Sequence, residues 1–151
     1  MVEVGTDIAK ASTLLKKGQL VAIPTETVYG LAGNALDVKA VSSIFETKNR
    51  PSFDPLILHV ASLEQVNSFV TAFPEKLKVL AEAFWPGPLT VLLPRKASVP
   101  DLVTSGLDRV AVRVPNHPLT LALLAQLDFP LAAPSANPFG YISPTQAAHV
   151  A

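Results

Sequence analysis

Cysteine is absent from the 151 residues, which excludes disulfides, thiolate zinc sites and cysteine nucleophiles together. Charge is scarce: Asp, Glu, Lys and Arg make up 16% of the chain, against roughly 25% in an average globular domain. Twelve basic and twelve acidic residues cancel, which argues against a general polyanion binder but leaves room for a local basic patch. No apolar run approaches the ~20 residues that span a bilayer. Met1–Lys10 also lacks the basic and apolar regions of a signal peptide, so the expectation is a cytoplasmic enzyme with no membrane association.

Familiar catalytic motifs are missing too. The seven glycines form neither GxxxxGKS/T nor GxGxxG, so the P-loop and Rossmann phosphate cradles are excluded. His59, His117 and His149 stand apart with no HExxH spacing, which argues against a transition-metal site. No GxSxG elbow occurs, and Ser135 has no evident base nearby in sequence.

What is present is an apolar chain, 49% hydrophobic with 14 prolines, punctuated into alternating periods. Thr6 to Lys17 has helical spacing, with Ile8, Ala11 and Leu15 on one face and Gly18 as its stop. Leu20 to Pro24 reads as a short strand. Asp37 to Lys48 reads as a helix with Val38, Val41, Ile44 and Phe45 inward. A strand over Leu56 to Val60 precedes a Ser62/Gln65 capping box. Pro74 opens another helix, with Leu77, Leu80, Ala81 and Phe84 expected inward. Trp85-Pro-Gly-Pro88 breaks it before a strand over Leu89 to Leu93. Val110 to Val114 and Leu131 to Ala133 complete the strands, with an apolar helix over Leu119 to Leu127 between them and a last helix start at Ser143. This alternation predicts one α/β domain with α+β-like layering: a twisted mixed sheet and flanking helices. Arg95 to Arg109 reads as a polar, loop-like flap.

The polar residues fall at strand ends. Thr25, Thr27 and Tyr29 follow the strand ending at Pro24, and Ser135 and Asn137 follow the one ending at Ala133. His59 and Arg113 close two more. Ligands of open α/β sheets bind outside the carboxyl ends of strands, so these positions predict one anion site. Each residue has a plainer reading. Arg113, on a strand face opposite three valines, needs an anionic partner, either a protein carboxylate or a ligand. His59 fits a satisfied core histidine or a site group. Lys48 and Arg50 either complement the dipole at a helix C-terminus, worth about 0.3–1 kcal/mol, or point together at a phosphate. The hydroxyls and Asn137 suit ordinary turns equally well.

Five blocks in order carry a resemblance to the YrdC/TsaC family: Pro24-Thr-Glu-Thr-Val-Tyr-Gly-Leu31; Lys48-Asn-Arg-Pro51 with Pro55-Leu56 and His59; Trp85-Pro-Gly-Pro-Leu-Thr90; Arg113-Val-Pro115 with His117-Pro118; and Pro134-Ser-Ala-Asn137 with Ser143-Pro-Thr145. They cover the chain from about Gly18 to its end. The resemblance implies a YrdC-like sheet curved around a basic cleft. It implies synthesis of threonylcarbamoyl-AMP and pyrophosphate from L-threonine, bicarbonate or carbon dioxide, and ATP. The product would feed threonylcarbamoyladenosine formation in tRNA by downstream partner proteins. Lys48, Arg50, Ser135 and Asn137 would be the catalytic, ATP-binding set, with Mg2+ held mainly through the triphosphate. Thr25, Tyr29, His59, Arg113 and Ser143 would line the threonine and carbamate pocket. Asn49 stands where the family pattern often has glycine, and Asp54 where it has asparagine. Family members usually continue past the Ser-Pro-Thr helix into a segment with a Ser-Thr pair and another arginine. Pro138-Phe-Gly-Tyr-Ile142 resembles the longer, two-domain form. The expectation is therefore that residues 1–151 are a YrdC-like domain cut short at its C-terminal end. Two other readings remain: an RNA-binding module with weak tRNA affinity, and the carbamoyl-adenylate domain of hydrogenase maturation.

Overall fold

Apolar stripes at helical spacing alternate with short apolar runs, and the computed structural model, which describes residues 8–25, 30–48 and 55–134, turns them into layers. The elements are α1 (Ile8–Lys16), β1 (Val21–Ile23), β2 (Gly30–Asn34), α2 (Val38–Lys48), β3 (Ile57–His59), α3 (Leu63–Val66), α4 (Glu75–Phe84), β4 (Val91–Pro94), α5 (Asp101–Thr104), β5 (Arg109–Arg113), α6 (Pro118–Ala125) and β6 (Leu131–Ala132). The mixed sheet with flanking helices is the architecture expected. The helix start expected at Ser143 lies outside the described residues.

Local chemistry sets the helix ends. Gly18, at φ +83, takes a left-handed conformation that stops α1, and the amide of Gln19 turns back to Leu14 O at 3.0 Å. Asp37 caps α2, its Oδ1 accepting from the amides of Lys39 at 3.0 Å and Ala40 at 3.4 Å. The Ser62 hydroxyl accepts from the Gln65 amide at 3.4 Å, and Gln65 Oε1 accepts from Ala61 N at 2.8 Å. The reciprocal box thus reaches one residue further back than the usual pattern.

Six strands form one sheet in the order β1-β2-β6-β3-β5-β4. β3 and β5 are parallel, and every other neighbouring pair is antiparallel. One face carries Leu58, Val60, Val91, Leu93, Val110, Val112 and Val114, packed against Val41, Ile44 and Phe45 of α2 and Val103 of α5. Each such fully buried side chain contributes about 1.5–3 kcal/mol. On the other face α1 and α6 cover only the β1-β2-β6 half, bringing Leu15, Leu123 and Leu124 onto Val21, Ile23, Ala32 and Leu131. The β3-β5-β4 half of that face presents a row of registered neighbours, Ile57, Ala111 and Leu92. Ile57 and Ala111 are half-buried and Leu92 is 58% exposed.

Several expectations need correction. β2, Gly-Leu-Ala-Gly-Asn, is a strand where none was read. Its glycines permit close packing: a Cβ at Gly33 would lie 2.8 Å from Leu20 Cδ2. Val38 of α2 and Leu80 and Phe84 of α4 are exposed rather than inward, because the stripe facing the core on α4 is Leu77 and Ala81. Arg95 to Arg109 is no flap. Arg95 Nε donates to Leu107 O at 2.8 Å, and its terminal nitrogens reach Val99 O and Asp101 Oδ1, each at 2.5 Å. Val99 and Val103 are fully buried, and Val103 O accepts from Leu56 N at 2.8 Å. The segment is stapled to the core.

Candidate functional site

The strand ends do not share one edge of the sheet. Register pairs His59 with Leu131 and Leu58 with Ala132, while β2 meets β6 through Asn34 and Leu131. β6 and β1 therefore run opposite to β3 and β5. Pro24–Thr25, Gly30 and Pro134 lie toward one edge, where Leu31 N donates to Pro134 O at 2.8 Å. His59 and Arg113 close their strands toward the other. The carboxyl-end rule presumes parallel strands, and only one pair here is parallel.

A face brings residues together instead. His59 and Arg113 are direct partners on the parallel β3–β5 pair, so both leave the sheet on the same side. That side is opposite the valines, next to the half that α1 and α6 leave uncovered. Both side chains are buried, at 3% and 9% exposure. His59 Nδ1 lies 3.1 Å from Ile57 O. A carbonyl only accepts, so Nδ1 is the donor in this contact. Arg113 remains charged wherever it is placed.

The Trp85–Leu89 turn holds the arginine. Arg113 Nε donates to Gly87 O at 3.0 Å, and Gly87 N donates to Val114 O at 2.7 Å. The same glycine thus grips the end of β5 by its backbone and the arginine by its side chain. A Cβ at Gly87 would sit 2.5 Å from Phe84 O, a backbone atom that cannot swing away. Trp85 Nε1 closes the turn on Leu89 O at 2.7 Å, with its ring edge-on to Phe73. Nε is thus committed to Gly87, which fixes the plane in which the guanidinium lies.

Of the other candidates, Thr25 is half-buried just past β1. Lys48 is the last residue of α2, a helix that packs on the opposite face. Tyr29, Arg50, Ser135, Asn137 and Ser143 lie outside the described residues. Two contributors were missed by sequence reasoning. Gly87 was hidden between prolines as a mere breaker. Thr120, in an otherwise apolar helix, donates from its hydroxyl to Pro24 O, and a lone hydroxyl in Pro-Leu-Thr-Leu-Ala-Leu-Leu-Ala was the available signal.

The fold is a mixed α/β sheet that buries an arginine beside the half-face that α1 and α6 do not cover. Comparison with known proteins narrows the class. The chain belongs to the Sua5/YciO/YrdC family, whose model, described as "Telomere recombination", matches residues 13–151. Two curated relatives are named threonylcarbamoyl-AMP synthase. That of Pyrococcus abyssi is 53% identical over 93% of this chain, and that of Bacillus subtilis 51% over 95%. The chain spans 42% of the length of each. The crystal structure of P. abyssi Sua5 complexed with L-threonine superposes with a TM-score of 0.93, at 48% identity, over 99% of this chain and 46% of that one.

Proposed function

We propose that this chain supplies the substrate-binding domain of a threonylcarbamoyl-AMP synthase, a nucleotidyltransferase acting on L-threonine, bicarbonate or carbon dioxide, and ATP. The observation that carries the reading is the buried, registered His59–Arg113 pair, with the arginine's Nε held by Gly87 O. It supports a ligand with a planar carboxylate, and threonine is the ligand named for the P. abyssi relative.

In this reading Arg113 takes the threonine carboxylate, and Thr25, Tyr29, His59 and Ser143 line the amine and carbamate side. The threonine amine adds to carbon dioxide and loses a proton. A carbamate oxygen then attacks the α-phosphorus of ATP, the new O–P bond forming as the bond to the departing pyrophosphate breaks. Lys48, Arg50, Ser135 and Asn137 would align the nucleotide and offset charge on the transferring group. Among the described residues no three His, Asp or Glu side chains gather where a metal could be held. A magnesium ion would be carried mainly through the triphosphate, where it would neutralise charge, and no step here is routed through it. The product would pass to tRNA-modifying partners.

The test is pyrophosphate release from the full-length protein with each substrate withheld in turn. Release should require threonine, bicarbonate and ATP together. Release with carbamoyl phosphate in place of threonine and bicarbonate would point instead to the hydrogenase-maturation chemistry. The RNA-binding reading is not favoured, since basic and acidic residues cancel. A steep salt dependence of tRNA binding would restore it.

A further inference from the structure

We infer that Thr120 is a positioning residue for the Thr25 end of the site, an inference that rests on the threonine-binding reading above. α6 runs Pro118-Leu-Thr-Leu-Ala-Leu-Leu-Ala125, with Thr120 as its sole polar side chain. Thr120 is 1% exposed, so no bulk water hydrates its hydroxyl. The hydroxyl instead donates to the carbonyl oxygen of Pro24, 96 positions earlier in the chain.

The location of that acceptor matters. The β1–β2 ladder ends with Ile23 opposite Gly30, so Pro24 O is the first carbonyl past the last paired residue. It belongs to the peptide joining Pro24 to Thr25. Because a peptide unit is planar and trans, holding its oxygen sets the direction of the Thr25 amide and the placement of the Thr25 Cα. Thr120 thus holds one side of the peptide whose other side begins the Thr25 segment.

The helix is a firm base for this role. His117 caps it, with Nδ1 accepting from the Leu119 amide at 3.3 Å, and Pro118 pre-sets its first turn. Leu123 and Leu124 lock it into the core shared with Leu15 of α1. A structural bond alone would be served by any arrangement that satisfies the carbonyl. A positioning bond must alter how one substrate binds.

Two substitutions separate these roles. Thr120→Val keeps the shape and removes the donor; Thr120→Ser keeps the donor and removes a buried methyl. In the full-length protein, Thr120→Val should raise the threonine KM about five- to tenfold, the equivalent of one hydrogen bond, and leave the ATP KM within about twofold. Thr120→Ser should lower the thermal midpoint yet keep the threonine KM near the parent value. Should Thr120→Val fail to fold, Thr120→Ala carries the same comparison. Equal rises in both KM values, or an unchanged threonine KM in Thr120→Val, overturns the inference while the parent's threonine dependence stands. A parent protein with no threonine-dependent pyrophosphate release overturns both.

Discussion

Exchanging Arg113 for lysine keeps the charge and removes the fork, which makes it the sharpest probe of the site. Arg113 uses Nε on Gly87 O at 3.0 Å, and in the proposed reading its two terminal nitrogens meet the threonine carboxylate. Lysine has one nitrogen at the end of a thinner stem and cannot serve both partners. Hydrogen bonds to charged groups contribute about 1.5–3 kcal/mol each, so loss of one arm should weaken threonine roughly 10- to 150-fold. Gly87 O, buried behind the turn, also loses its donor, at a cost of about 1–3 kcal/mol in folding stability. Calorimetric titration with threonine and, separately, with ATP reads the first effect. Urea unfolding reads the second. ATP affinity should change less than threefold. Threonine affinity surviving within threefold, or ATP weakening in step with threonine, would show that Arg113 does not grip the carboxylate.

Other substitutions probe the surroundings. Lys48→Ala should cut turnover and shift unfolding by less than about 0.5 kcal/mol; unchanged kinetics would return Lys48 to complementing the α2 dipole. Gly87→Ala drives a Cβ to 2.5 Å from Phe84 O, and the turn must shift, so both stability and threonine affinity should fall, by about 1–3 kcal/mol in unfolding. Arg95→Ala should expose Asp101 to Asp108 amides to hydrogen exchange and cost about 2–3 kcal/mol through its two lost carbonyl partners. Asp101→Asn should cost less than about 1 kcal/mol, because the aspartate side chain is 82% exposed. Comparable losses for Arg95→Ala and Asp101→Asn would mean that the ion pair, not the carbonyl staples, secures the segment.

What the sequence disclosed follows from what periodicity encodes. α1, α2 and α6 announce themselves by spacing and punctuation, and β3 and β5 by runs of branched residues. β2 was hidden because glycine, alanine and asparagine carry little β-propensity. It is a strand through tertiary contact, Gly33 admitting Leu20 and Ile44 and Gly30 admitting Ala133 and Pro134. α5 was hidden in a polar stretch, although Val99 and Val103, four apart, marked buried points within it. Strand direction leaves no trace in side-chain period, so the opposed runs of β1 and β6 were illegible and the strand-end argument grouped residues by the wrong geometry. The shared face of His59 and Arg113 was legible because each alternates against buried neighbours, Leu58 and Val60 in one case, Val112 and Val114 in the other. The acceptors that orient Arg113 and the Pro24 peptide are backbone carbonyls, which no sequence pattern reveals.

The place of β6 in the sheet has a consequence for synthesis. It is the last of the described strands to leave the ribosome, yet it lies between β2 and β3. Until Leu131 and Ala132 emerge, β1-β2 and β3-β5-β4 are two fragments, each with an unpaired inner edge. Asn34 must wait for Leu131, a distant pairing of the kind that closes late in folding. A nascent chain therefore has no joined sheet and no bond between Leu31 and Pro134. Chaperone binding or misassembly would concentrate in that interval. Messages broken upstream of residue 131 would yield products with two sticky sheet fragments rather than a weakened domain.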